Sequence, residues 1–66
     1  MINHVKKYRM LRSMTQTELA EQLQVSRQTI HSIETMRYVP STILALKLAQ
    51  LFACQVEDLF VLDELD

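Results

Sequence analysis

A chain of 66 residues, 48% of them apolar, with one proline and no glycine, has room for one hydrophobic core and a composition that favours helices over strands. A single cysteine rules out an internal disulfide, and one cysteine with two distant histidines fits no spacing of zinc ligands, so we expect neither a metal nor a cofactor. No run of residues resembles a membrane span or an export signal, so a cytoplasmic location with no membrane partner is expected.

The net charge of −1 conceals an uneven distribution of charge along the chain. Residues 1–50 carry all seven Lys and Arg against three Glu, a balance of 7 − 3 = +4, whereas the last sixteen residues carry only five acidic groups. A molecule polarised in this way can turn one end toward phosphates and the other end away from them. Ordinary surface charge is the alternative explanation.

The N-terminal third of the chain predicts two helices. Residues 3–12 place Val5, Tyr8 and Leu11 at three-residue spacing among basic side chains, which indicates a first helix with a narrow apolar stripe. A T-x-x-E signature begins at Thr15 and is typical of a capping box. It predicts the start of a second helix of about eight residues.

A third helix follows after only two or three residues. Ser26 can cap it, and Ile30 and Ile33 lie three apart on the side that faces the core. This helix should end near Glu34, because the residues that follow lack periodicity and Pro40 disfavours helical geometry before it.

The fourth helix gives the strongest amphipathic pattern of the chain. Ser41 restarts the helical pattern, and apolar residues then recur at i, i+3, i+4, i+7 and i+8. Those residues are Leu44, Ala45, Leu48, Ala49 and Phe52. A short last helix is predicted from Val56, Leu59 and Phe60.

Two short capped helices joined by a tight turn form the arrangement that presents a second helix to the DNA major groove. The segment QTELAEQLQVSRQTIHSIE, residues 16–34, resembles the helix-turn-helix of the phage-repressor-like Xre/Cro transcriptional regulators. The following RYVPS and ALKLAQLF are similar to that family's next loop and helix, so the resemblance covers about residues 3–60. It implies an all-α, five-helix DNA-binding domain over residues 1–66.

The resemblance implies a recognition helix near residues 27–34 whose polar face meets base edges. Glutamine can pair bidentately with adenine and arginine with guanine, and no carboxylate lies between Ser26 and Ser32. Base contacts are therefore expected from Arg27, Gln28, Thr29, His31 and Ser32. A metal-binding or pH-sensing His31 is the alternative, but a lone histidine on a polar helix face favours solvent or DNA.

Phosphate contacts are expected at helix starts, where free amides and the helix dipole favour anions, and in the loop after the recognition helix. The candidates are Gln16, Ser26, Arg37, Tyr38 and Ser41. For Tyr38, packing on Pro40 alone is the alternative interpretation.

Other positions acquire a structural role from the resemblance. Arg9 and Glu34 stand where the family places an ion pair that ties the first helix to the end of the third. Ser13 and Met36 stand where the family usually has a glycine that closes a helix, so we expect a positive φ or a different turn there. Cys54, among apolar neighbours, is expected to act as a small apolar side chain.

The C-terminal segment has more apolar residues than so small a domain can cover by itself. We expect a two-fold dimer interface formed by Val56, Phe60, Val61, Leu62 and Leu65. In some small members of the family the extreme N-terminus pairs with the tail as a short strand, and residues 1–3 and 60–62 suit such a pairing. A frayed acidic tail is the alternative.

The resulting hypothesis is a homodimer that binds double-stranded DNA at a palindromic operator and regulates transcription, with repression favoured over activation. No nucleophile motif is present, so we do not expect an enzyme. One alternative is an antitoxin-like protein on the same fold, which holds another protein through Met10, Leu11, Ile43 and Leu51. The other is a protein-interaction module without DNA binding, against which the carboxylate-free face argues.

Overall fold

The computed structural model describes residues 1–66, the whole chain, as five helices and one short pair of strands. This confirms the predicted five-helix architecture and the pairing of the N-terminus with the tail. In chain order the elements are β1 Ile2–Asn3, α1 Val5–Leu11, α2 Gln16–Leu23, α3 Arg27–Glu34, α4 Thr42–Leu51, α5 Val56–Leu59 and β2 Phe60–Val61. None of the helices has both the length and the apolar character that crossing a membrane requires.

Hydroxyl side chains fix the starts of α2, α3 and α4. Thr15 Oγ1 accepts a hydrogen bond from the Glu18 amide at 3.0 Å, and the Thr15 amide donates to Glu18 Oε1 at 2.9 Å, which completes the capping box. The hydrogen bond from the Thr15 backbone, and then that with its side chain, lowers the pKa of Glu18. Ser26 and Ser41 accept in the same way from the amides of Thr29 and Leu44, each at 3.1 Å. Each cap satisfies an amide that the helix itself leaves unpaired.

The core consists only of apolar side chains, and it is formed where all five helices meet. Its fully buried members are Val5, Leu19, Ile30, Ile33, Leu48 and Leu59. Tyr8 and Phe52 extend the core at one edge, with ring centroids 5.8 Å apart.

Leu11 does not continue the predicted apolar stripe of α1 into the core, because its side chain is 72% exposed. A helix turns about 100° per residue, which places Leu11 roughly 120° away from Val5 around the axis of α1. Arg9 lies much closer to the direction of Val5, and its guanidinium points toward α3. The three-residue spacing alone could not separate these two faces.

The chain termini pair as an antiparallel ladder of two residues, Ile2 with Val61 and Asn3 with Phe60. The α-amino group lies 2.7 Å from Asp66 Oδ2 and 3.1 Å from Asp63 Oδ2. The hydrogen bonds that the α-amino group donates to these carboxylates, that to Asp66 first, raise the pKa of the α-amino group, and the same contact lowers the pKa of Asp66. The strand pair and these ion pairs therefore fix the N-terminus against the C-terminal tail.

Phe60 belongs to this ladder and not to the last helix, which corrects the prediction that it continues α5. Its backbone is extended, with φ −125° and ψ 122°. The Leu59 carbonyl accepts from the His4 amide at 2.7 Å, so pairing with the N-terminus ends the helix after one turn. The partner strand lies far away in sequence, and local periodicity does not report it.

Positive φ angles follow the ends of four helices in a chain without glycine. Ser13 and Met36, where a positive φ was expected, have φ of 54° and 65°. Gln24 and Ala53 adopt the same conformation, with φ of 59° and 53°, and neither was expected from the sequence. In this left-handed conformation the Cβ of each of the four residues is crowded against the following carbonyl oxygen.

Replacing Ala53 with glycine is expected to raise the free energy of unfolding by about 0.5–1 kcal/mol, since relief of the left-handed conformation exceeds the entropy cost of glycine. Ala53 is exposed, so no packing is lost. The matched control is Gln50→Gly, an exposed position inside α4, where glycine should destabilise by a similar amount. Urea unfolding measures both, and destabilisation by Ala53→Gly would contradict the expectation.

Candidate nucleic-acid interface

The pair α2 and α3 meets at a tight turn over residues 24–26. Gln24 reverses the chain in the left-handed conformation, and the Val25 amide returns to the Ala20 carbonyl at 3.0 Å. On α3, Ile30 and Ile33 are fully buried, so the core fixes the rotation of this helix about its axis. The opposite face of α3 must therefore point outward.

Four of the five predicted base-contact residues share that outward face. At about 100° per residue, Gln28 lies nearly opposite Ile30 and Ile33, His31 and Ser32 lie on either side of it, and Arg27 lies at one margin of the face. Arg27 and Gln28 are exposed, whereas His31 and Ser32 are half-buried. Gln28 makes only a long contact of 3.5 Å with Ser32 Oγ, so its amide is available to a ligand. The resulting face is polar and contains no carboxylate.

Thr29 differs from the other four because its hydroxyl and its amide both contact the capping residue Ser26. Its hydroxyl is 2.9 Å from Ser26 Oγ, and its amide donates to the same oxygen. Both groups take part in capping the helix. The structure therefore places Thr29 in the start of α3 and next to the face, not at its centre.

The loop after α3 folds back onto the end of the recognition face. The amides of Arg37 and Tyr38 both donate to the Ser32 carbonyl, at 2.8 and 3.2 Å. Tyr38 then lines a shallow groove together with Gln28, Thr29 and Ser32. The tyrosine hydroxyl is thus placed beside α3, and its surroundings are not limited to Pro40.

Lys47 joins this region and was missed as a candidate site residue. It lines the adjoining groove, which also contains Thr29, Tyr38 and Ser41. From the sequence, Lys47 was expected only to contribute to the positive charge of residues 1–50. An exposed cation within the otherwise uncharged helix α4 was the available signal, but its distance from α3 in sequence hid the proximity.

A second polar region lies on the other side of α3, at the start of α2. An open cleft there is lined by Arg9, by the exposed Arg27 and by three hydroxyl residues. The hydroxyl residues are Ser13, Thr15 and Thr17. Gln16 is the first residue of α2, and the first amides of a helix have no acceptor within it. Cations, hydroxyls and free amides without a lining carboxylate suit an anion such as phosphate.

Arg9 and Glu34 form a bidentate ion pair between α1 and α3. Arg9 Nε donates to Glu34 Oε2 at 2.8 Å, and Arg9 Nη2 donates to Oε1 at 3.1 Å. The side chains are 11% and 3% exposed. Arg9 Nη1 also donates to the Met14 carbonyl at 2.8 Å, so the pair closes the corner between α1, α2 and α3.

Cys54 lies outside both polar regions and packs against the core. Burial, and to a smaller extent the Asp58 carboxylate, raises the pKa of its thiol. The reactive thiolate is therefore disfavoured at neutral pH. This environment agrees with the interpretation of Cys54 as a small apolar side chain.

A capped helix pair with a tight turn, an exposed polar face on the second helix and phosphate-compatible groups on both sides define a helix-turn-helix protein of the transcriptional-regulator class. A family model described as helix-turn-helix matches residues 5–59. The chain belongs to this family.

Relatives of nearly the same length extend the comparison. The chain is 47% identical over 64 residues to an uncharacterized HTH-type transcriptional regulator of Methanocaldococcus jannaschii, with 97% of each chain covered. It is 44% identical over 64 residues to the uncharacterized HTH-type transcriptional regulator YgzD of Bacillus subtilis, again with 97% of each covered. A relative with the same description from Archaeoglobus fulgidus is 42% identical over 64 residues, which are 97% of this chain and 90% of the relative.

Proposed function

We propose that this protein binds a specific sequence of double-stranded DNA as a homodimer on a palindromic operator and represses transcription from the neighbouring promoter. The observation that carries the proposal is the outward, carboxylate-free face of α3, fixed in its rotation by the fully buried Ile30 and Ile33. A rigidly held polar helix of eight residues suits the major groove, which admits one α-helix. The relatives named as transcriptional regulators support the same role.

In the proposed complex, residues on the outward face of α3 contact base edges. Gln28 has the amide geometry that pairs with adenine, and Arg27 has the geometry that pairs with guanine. His31 and Ser32 lie beside them, and Thr29 contributes from the margin of the face.

Phosphate contacts are proposed on both sides of this helix. On one side they come from the starts of α2 and α3, with Gln16 and Ser26. On the other side they come from the loop and the start of α4, with Arg37, Tyr38, Ser41 and Lys47. Such contacts position the protein on the duplex without reading its sequence.

The homodimer is proposed because one recognition helix reads only a few base pairs. An apolar cleft of about 300 Å³ lies between the loop after α3, helix α4 and the last helix, and it is lined by Val39, Leu46, Val56 and Phe60 among others. The tail adds exposed apolar side chains, with Val61, Leu62 and Leu65 38%, 78% and 95% exposed. Burying such a surface against a second copy removes apolar area from water. We place residues 1–66 in one DNA-binding unit, with the tail 60–66 in dimerisation.

The test of this function is the variant Gln28→Ala, measured by fluorescence anisotropy on a duplex selected by the wild-type protein. Loss of a bidentate base contact should cost about 1–3 kcal/mol, or roughly fivefold to 150-fold in affinity, and should remove preference at one position of each half-site. Arg37→Ala should instead weaken binding to all sequences alike and reduce its salt dependence. Unchanged affinity and preference in Gln28→Ala would contradict the proposal.

A second candidate, an antitoxin-like role in which the dimer also holds another protein, is favoured by one observation. Met10 and Leu11 are 60% and 72% exposed on α1, outside the residues assigned to DNA and to the dimer. Ile43, 68% exposed, lines the groove with Tyr38 and Lys47, and Leu51 packs against the core. The surface for a partner would therefore centre on α1.

A further inference from the structure

The side chain of Asn3 connects the strand pair to the C-terminal end of α3. Asn3 Nδ2 donates to the Ile33 carbonyl at 2.8 Å, and Asn3 Oδ1 accepts from the Val5 amide at 3.4 Å. Nδ2 also contacts Met36 Sδ, in the turn that follows α3. Because the carbonyl can only accept and the backbone amide can only donate, a rotated Asn3 side chain would lose both backbone hydrogen bonds.

The backbone of Asn3 lies beside the surface that is proposed to meet the second copy. Asn3 pairs with Phe60 in the antiparallel ladder of the chain termini. Phe60 in turn lines the apolar cleft together with Leu46 and Val56. One residue therefore contacts both the strand that borders the cleft and the end of the recognition helix.

The other side-chain hydrogen bonds that hold α3 to the rest of the domain come from α1 and α2. Arg9 of α1 and Gln16 of α2 both donate to Glu34. Arg27, at the start of α3, donates to the Gln16 side chain. None of these contacts reaches the strand pair. Asn3 therefore supplies the direct polar connection between the strand pair and α3.

The place of α3 relative to a two-fold interface determines which spacing of half-sites a dimer can bind. The two recognition helices of a helix-turn-helix dimer meet half-sites about 34 Å apart, one turn of about 10.5 base pairs. Inserting one base pair therefore moves one half-site by about 3.4 Å and rotates it by about 34°. A dimer in which α3 is rigidly fixed to the interface excludes such a change, whereas a loosened connection tolerates it.

We propose that Asn3 is a positioning residue for half-site spacing, which fixes the end of α3 against the strand that borders the interface with the second copy. Asn3 contacts no base in this role, and the sequence read within a half-site does not depend on it. The inference rests on the proposed function, because it takes α3 to bind DNA and the cleft to hold the dimer together. The group that it requires is the Nδ2 donor on the Ile33 carbonyl.

The experiment selects binding sites from a random duplex library with the wild-type chain, Asn3→Asp, Asn3→Leu and a control, and it scores the spacing between half-sites. Aspartate keeps the size of the side chain and the acceptor for the Val5 amide, but its carboxylate cannot donate to the Ile33 carbonyl. Leucine removes both hydrogen bonds at a similar side-chain size. The control is Ile2→Thr, at the adjacent, 46% exposed position of the same strand, whose side chain lies on the other face. Thermal unfolding and sedimentation equilibrium verify that each variant is folded and dimeric.

The expected result is that the wild-type chain discriminates several-fold or more against a spacing one base pair shorter or longer, and that both Asn3 variants lose most of this discrimination. Base preference within the half-site should be unchanged, and Ile2→Thr should select the wild-type spacing. A residue that only stabilises the fold would instead lower the melting temperature and the overall affinity and leave the preferred spacing as it is.

The inference is overturned if both Asn3 variants keep the wild-type spacing, or if the palindrome selected by the wild-type chain has no preferred spacing, and the proposed function then stands. It is also overturned if the variants select only single half-sites, because Asn3 would then hold the dimer together instead of positioning α3. If the wild-type chain selects no two-fold symmetric site, the proposed function fails and this inference fails with it.

Discussion

Replacing Glu34 with alanine is expected to lower the free energy of unfolding by about 3–5 kcal/mol, because it leaves the Arg9 guanidinium unpaired in a nearly buried position. The carboxylate is 3% exposed and receives hydrogen bonds from both Arg9 and Gln16. Small domains have only about 5–15 kcal/mol of stability, so much of the chain would be unfolded at physiological temperature. Urea denaturation followed by circular dichroism measures the loss.

The control for Glu34→Ala is Glu21→Ala, an exposed carboxylate on α2, whose effect should stay within about 0.5 kcal/mol. Replacing both partners, as Arg9→Met with Glu34→Leu, should recover much of the stability because no buried charge is then left alone. A melting temperature unchanged by Glu34→Ala would show that the ion pair does not hold the fold together.

Introducing a charge at Leu46 is expected to dissociate the proposed dimer and to reduce affinity for a full palindrome by about 100-fold or more, since the gain from binding two linked half-sites is lost. Leu46 is 57% exposed on α4 and lines the apolar cleft with Val56 and Phe60. In Leu46→Glu, association would bury two carboxylates in an apolar surface. Sedimentation equilibrium gives the mass, and anisotropy on full-site and half-site duplexes gives the affinities.

Gln50→Glu adds the same charge on an exposed position of the same helix, outside the cleft, and should remain dimeric. The affinity of Leu46→Glu for a half-site duplex should match the affinity of one wild-type protomer for the same duplex, because α3 is unchanged. If Leu46→Glu still sediments as a dimer, the two copies do not meet at this cleft.

Much of the fold follows from local sequence patterns at the starts and ends of the helices. Thr15, Ser26 and Ser41 carry the capping hydroxyls, and the structure starts a helix directly after each of them. The positive φ of Ser13 and Met36 was expected because a resemblance pointed to glycine at those positions. The caps follow from local chemistry, which a single sequence shows, whereas the two positive φ angles followed from the resemblance.

Features that depend on contacts between distant segments were not predictable in the same way. Gln24 and Ala53 adopt positive φ because packing of the next helix requires a reversal there. Phe60 leaves the helix because its backbone meets Asn3, 57 positions earlier in the chain (60 − 3 = 57). The helical periodicity of a segment carries no information about the distant segment that it contacts.

For the candidate site, the sequence identified the residues of α3 but not their connections. The exposed position of Gln28 follows from the burial of Ile30 and Ile33 on the opposite side of the helix, and Arg27 is exposed at the margin of that face. The link from Glu34 through Gln16 to Arg27 joins both ends of α3 to the start of α2 and exists only in the folded chain. Lys47 was missed for the same reason, because α4 brings it next to Tyr38 only in the folded chain.

The most direct test of the central claim is selection of binding sites from a random duplex DNA library with the purified protein at moderate salt, followed by sequencing. The proposed function predicts enrichment of a two-fold symmetric site whose half-sites are centred about 34 Å apart, one helical turn of DNA. Retention that is weak, abolished by added salt and without any enriched sequence would contradict a specific dimeric DNA-binding protein.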